Sequence, residues 1–123
     1  ARARGFLITL FTNGILVTER IADVLAETRP FYIEITLYGR TQATYEALTG
    51  IPGSHARCYR AVDLLLERGL PLKLKTVAVS INRHEVGAMR AYAQELGVPF
   101  KFDASMNPRI DCSQAPLAVR LRP

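Results

Sequence analysis

Thr12 and Asn13 end the apolar run FLITLF, and Gly14 follows them. A hydroxyl and a carboxamide at that point can exchange hydrogen bonds with a ligand, or can simply close a turn into the helix-like stretch beyond. Glu34 and Thr36 interrupt a second apolar run, FYIEITL, two residues apart. Lys73 and Lys75 interrupt a third, LKLKTVAV, again two apart and in phase with Val77. Residues two apart on a strand share a face, so each pair points one way. Asp103, Ser105, Asn107 and Arg109 follow a fourth run, PFKFDAS, or close it. Hydroxyl, carboxylate and ammonium groups of this kind bind and orient a polar molecule. A lone buried Lys or Glu is costly without a partner. Two readings follow: the strands line a wet, charged cavity, or the lysines sit on the solvated face of an edge strand.

The other chemistry-bearing residues read as structural. His55 lies in the first turn of a helical stretch and His84 stands beside Arg83, so both are expected at the surface. Cys58 falls among apolar helix positions and is expected in the core. Cys112 lies in a Pro-rich loop, where a thiol can be free, reactive or a metal ligand. The two cysteines make no CxxC pair and no metal-type spacing with either histidine, a usage that fits a reducing, cytoplasmic setting. Neither a GxxxxGK[ST] phosphate loop nor a GxGxxG turn is present.

With 123 residues the chain can build one domain with a real core. Lys and Arg number 16 against 11 Asp and Glu, a net charge of +5. The arginines are scattered rather than clustered, which argues against a nucleic-acid surface. No apolar run approaches the ~18 residues that suggest a membrane span. ARARGFLITLF is basic and then apolar, but its apolar part is strand-length and lacks a small-residue cleavage site, so it does not read as a signal peptide.

The elements that must position these groups are strand-like runs at 5–11, 31–37, 72–79 and 99–105, separated by amphipathic stretches. Such alternation predicts βαβ units and a mainly parallel sheet with outer helices. Thr18 is the expected N-cap of a helix with Ile21, Val24, Leu25 and Thr28 on its inner face. A short helix is expected over 41–48. Ser54 is the expected cap of SHARCYRAVDLLLER, with Cys58, Ala61, Val62, Leu65 and Leu66 inward and Gly69 closing it. Asn82 and Glu85 have the spacing of a capping box before a helix that buries Val86, Met89, Ala93 and Leu96 and ends at Gly97. Beyond residue 106 the period is lost. Three prolines in MNPRIDCSQAPLAVRLRP predict a loop with at most a short helix or strand near 116–121. Three and a half βα units suit a part of a larger (β/α) domain.

LFTNGILVTERIADVLAE, YIEITLYGRTQATYEALTGIPGSHARCYRAVDLLLERGLPLKLKTVAVSIN, RHEVGAMRAYAQELGVPFKFD and MNPRIDCSQAPLAVRLRP together resemble the middle and later part of the catalytic barrel of radical S-adenosylmethionine (radical SAM) enzymes. The likeness is to the SPASM-like branch that modifies peptides or builds cofactors, and it covers nearly the whole chain. It implies an α/β fold, a partial (β/α) barrel with about four mainly parallel strands and outer helices over 1–106, and a Pro-rich loop over 107–123. It implies a parent Fe–S oxidoreductase that uses S-adenosyl-L-methionine and a [4Fe–4S] cluster to generate a 5′-deoxyadenosyl radical and act on a peptide or small-molecule substrate. It also implies that Thr36, Glu34, Thr12 and Asn13 approach the cofactor and that Lys73, Lys75 and Asp103 approach the substrate. The CxxxCxxC loop that holds such a cluster is absent, so the expectation is a truncated barrel, inactive alone and prone to self-association through its open edges. Cys112 is the one residue suggestive of an auxiliary metal site. The competing expectation is a free-standing α/β ligand-binding or regulatory domain without catalysis.

Overall fold

The computed structural model describes residues 4–105 and 110–121. Asn107, Arg109 and the expected boundary at 106 lie outside them. The elements run β1 (Thr9–Thr12), α1 (Glu19–Thr28), β2 (Tyr32–Thr36), α2 (Gln42–Thr49), α3 (Ser54–Glu67), β3 (Leu72–Val77), a 3-10 turn (Arg83–Glu85), α4 (Val86–Glu95), β4 (Phe100–Asp103) and a 3-10 turn (Ala115–Val119). The four strands form one sheet in the order β1-β2-β3-β4, every pair parallel. Parallel neighbours need a crossover, and each interval supplies at least one helix.

The strands are read on two faces. Ile33, Ile35, Leu37, Leu72 and Leu74 are buried and join Cys58, Ala61, Val62 and Leu65 of α3 and Met89 and Ala93 of α4 in one core. Helices therefore cover one face of the sheet. On β2 and β3 the alternate residues are only half-buried. Because β3 pairs on both sides, Lys73 and Lys75 do not belong to an edge strand. They alternate with core leucines on an interior strand.

Several local expectations fail for definable reasons. Ala22, not Ile21 or Val24, is the buried residue of α1; those two stay 42% and 50% exposed. The helix presents its narrow alanine side to α3, a closer approach than a branched side chain permits. Ser54 is the first residue of α3 rather than its cap, which is Gly53 at φ 74°. The Ser54 hydroxyl is buried and hydrogen-bonds Thr49 Oγ1 at 2.8 Å. Asn82 and Glu85 form no capping box: the chain makes a 3-10 turn there, and neither N-cap side chain bonds its own helix. Their partners lie across the fold. The cap at Thr18 stands, accepting from Ile21 N at 3.3 Å.

A charged sheet face and a stitched loop at its edge

Register sets the exposed face of the sheet in rows. Phe11, Glu34 and Lys73 are neighbours in one row, Thr36, Lys75 and Lys101 in the next, and Val77 with Asp103 in a third. The sequence patterns of alternating charge on β2 and β3 therefore converge on one surface opposite the helices. Lys75 Nζ lies 2.7 Å from Glu34 Oε1 and 5.0 Å from the Phe11 ring centre. Lys73 Nζ sits 3.6 Å above the Tyr32 ring, a cation–π contact. A hollow of about 370 Å³ opens between Lys73 and Lys101, with Tyr32 and Glu34 in its wall. Lys101, whose position the sequence reading passed over, is exposed on this face; its spacing of two from Asp103 was the available signal.

At the carboxyl end of the sheet, Thr12 pairs in register with Ile35 and so lies on the helix side. Its hydroxyl accepts from Gly14 N at 3.0 Å, and Asn13 Oδ1 accepts from Ile15 N at 3.2 Å. Both oxygens fold the turn. Gly14 has φ +76°, and a Cβ there would stand 3.2 Å from Ala61 Cβ, so glycine serves both the left-handed conformation and the close passage over α3.

The loop after β2 is fixed by residues from three other elements. Glu85 accepts from Arg40 N at 2.6 Å, Thr41 N at 3.1 Å, Thr41 Oγ1 at 2.6 Å and Thr44 Oγ1 at 2.8 Å. Burial alone would raise its pKa; the bonds from Thr41, Thr44 and Arg40 outweigh burial and draw it from the ordinary 4.5 down to about 2. Its charge also faces the first turn of α2, where an anion is favoured. Asn82, fully buried, donates to the carbonyls of Tyr38 and Val77 at 3.1 Å and accepts from Val79 N at 2.8 Å. Tyr59 Oη donates to the Gly39 carbonyl at 2.9 Å, and His55 Nε2 donates to that of Arg40 at 3.0 Å. His55 is thus a packed residue, 4.4 Å from the Tyr59 ring, and not the surface histidine expected. The Arg40 guanidinium stacks over Tyr92 and Tyr59 at 4.6 and 5.2 Å. Gly39 makes the approach feasible, since a Cβ there would fall 2.7 Å from Tyr45 N.

Asp103 is held locally: its Oδ1 accepts from Ser105 N at 2.8 Å, and that backbone bond lowers its pKa. Cys58 is buried in the core, and burial pushes its thiol up to about 11. Cys112 is exposed, with φ 65°. His84 is exposed, 3.7 Å from Glu85 Oε1.

No protein-family model matches the chain. It is 26% identical over 93 residues to the AdoMet-dependent heme synthase of Methanosarcina barkeri (strain Fusaro / DSM 804), covering 76% of this chain. It is 30% identical over 97 residues to the PqqA peptide cyclase of Gluconobacter oxydans (strain 621H), covering 79% of this chain. Both are radical SAM enzymes. Among solved structures, native anSMEcpe with bound AdoMet and Cp18Cys peptide superposes with a TM-score of 0.67 at 20% identity, over 81% of this chain and 28% of that one. Native anSMEcpe with bound AdoMet gives 0.64 at 18% identity, over 86% and 31%.

The chain is similar, in sequence and in fold, to one segment of radical SAM enzymes.

It spans 27% of the length of each curated relative, and its described residues form one sheet of four parallel strands with helices against one face. Among its described residues no three His, Cys, Asp or Glu side chains converge on a point that could hold a metal ion. These residues do not fit a [4Fe–4S] cluster. They do fit S-adenosylmethionine in kind, since the charged face offers a carboxylate, a hydroxyl and ammonium groups to a molecule carrying an ammonium, a carboxylate and ribose hydroxyls. No helix among the described residues is long and apolar enough to cross a membrane.

Proposed function

We propose that this chain walls part of the pocket in which a cytoplasmic radical SAM Fe–S oxidoreductase holds its cofactor and a peptide or cofactor precursor. The observation that carries this reading is the row of Thr36, Lys75 and Lys101 beside the row of Phe11, Glu34 and Lys73 on the face opposite the helices. A parallel strand covered on both faces would present apolar residues there. When bound, S-adenosylmethionine given one electron by a reduced Fe–S cluster would supply methionine and a 5′-deoxyadenosyl radical able to take a hydrogen atom from the substrate.

This chain's own residues bind and orient. The Thr36 hydroxyl bonds the ribose or methionine part of the cofactor, and Glu34, held by Lys75, presents its second oxygen. The Asn13 amide nitrogen, left over by the turn, is the donor at the end of β1, whose course Thr12 fixes. Lys73, Lys75 and Asp103 face the substrate. Orientation of this kind lowers the entropic part of the barrier, with the hard chemistry left to the cofactor.

The test uses the full-length protein, reconstituted anaerobically. It is expected to bind S-adenosylmethionine and release 5′-deoxyadenosine, and Thr36→Ala is expected to weaken cofactor binding about threefold to tenfold, the worth of one hydrogen bond. A full-length protein that binds no S-adenosylmethionine would return the chain to a free-standing α/β ligand-binding domain.

A further inference from the structure

The charges on the open face of the sheet are not evenly compensated. Lys75 has Glu34 at 2.7 Å. Asp103 spends an oxygen on the Ser105 amide. Lys73 is half-buried with the Tyr32 ring against its ammonium and Glu34 opposite it in register, and Lys101 is exposed with Asp103 as a more distant counter-charge; neither makes a close ion pair among the described residues. The hollow of about 370 Å³ is lined by both of these cations together with Glu34, Leu74 and Phe100. Two ammonium groups without a close ion pair around a cleft raise the local potential and draw anions. Inside a closed barrel the water that now solvates them would be thinned, and a cation stripped of water needs a counter-charge.

We propose that Lys73 and Lys101 form a carboxylate-binding subsite and that the substrate therefore carries carboxylate groups, on a small polycarboxylate or on acidic side chains of a peptide. Lys75 is the positioning residue between them: its pairing with Glu34 keeps that carboxylate from neutralising either free lysine. The aromatic ring under Lys73 leaves the ammonium's outer donors free, since a cation–π contact engages one side of the group. The substrate class assigned here rests on the barrel reading above; the anion site itself rests on the geometry of the face.

The experiment uses the full-length protein loaded with S-adenosylmethionine and measures binding of two compounds by calorimetry: tricarballylate and an oligoglutamate peptide. The wild type is expected to bind at least one, with affinity falling as salt is raised. Lys73→Met and Lys101→Met, which keep the hydrocarbon stem, are each expected to weaken that binding about threefold to fivefold. Lys73→Arg keeps the charge and should retain most of it, separating charge from packing. The compound that binds more tightly names the source of the carboxylate. A wild type that binds S-adenosylmethionine but neither compound overturns the proposal and leaves the barrel reading standing. Equal binding by wild type and both methionine variants overturns it as well. A wild type that binds either compound through these lysines but not S-adenosylmethionine keeps the anion site and removes the barrel reading.

Discussion

Four donors converge on the Glu85 carboxylate, two backbone amides and two threonine hydroxyls. Glutamine would put an amide NH2 where an acceptor oxygen is needed, so Glu85→Gln is expected to cost about 2 kcal/mol at neutral pH, measured by denaturant unfolding. The pH dependence has a fixed sign. A carboxyl held near 2 when folded and near 4.5 when unfolded stabilises the fold fully above 4.5 and loses that contribution as pH falls toward 2. The wild type should therefore lose stability across that window more steeply than Glu85→Gln; parallel slopes would refute the assignment. Tyr45 carries the opposite case. Its hydroxyl is buried with no hydrogen bond of good geometry among the described residues, only the weak Cys58 thiol lying near it, while its ring packs edge-on to Tyr38 and His55. Tyr45→Phe keeps the ring and removes the unpaired group, so melting should show no loss, and a gain of up to about 1 kcal/mol.

Helix α2 is positioned by the backbone before it. Gly39 passes so near the helix that an added methyl would lie 2.7 Å from Tyr45 N and 2.9 Å from Thr44 Cγ2. Backbone rather than a flexible side chain stands in the way, so Gly39→Ala should push the loop off α2 and break its bonds to Glu85. The expected cost is about 2 kcal/mol or more. Because the same loop leaves β2 three residues after Thr36, its amides should also exchange hydrogen faster in that variant. Unchanged exchange at Arg40 and Thr41 would mean that the loop is held elsewhere.

Across the whole molecule, apolar surface collects at the β1 edge and the flank of α1. Leu7 is 77% exposed and Leu16 75%, with Phe6, Phe11, Ile21 and Val24 also open. Among the described residues strand β1 pairs only with β2, so one row of its backbone groups is open to another strand. Such an edge beside an apolar patch favours association. The isolated chain is expected to show concentration-dependent self-association by light scattering, and Leu7→Lys with Ile21→Lys should shift it toward monomer. A wild-type monomer at all concentrations would show these surfaces to be tolerated by water.

Patterns with a short period were legible in the sequence itself. Alternation of two put Glu34 with Thr36 and Lys73 with Lys75, and it placed the four strands to within a few residues. The cap at Thr18 and the buried face of α3 followed from helical spacing, because these depend on neighbours within a turn. The tertiary structure alone decided which distant groups meet. Asn82 and Glu85 carried a capping-box spacing, yet they reach 44 and 45 residues back to the β2 loop, to the Tyr38 carbonyl and the Arg40 amide. His55 was drawn from the surface by the Arg40 carbonyl in the same way. Register sets Glu34 directly opposite Lys73, yet its carboxylate pairs diagonally with Lys75; neither the register nor that choice of partner is contained in the sequence of one strand.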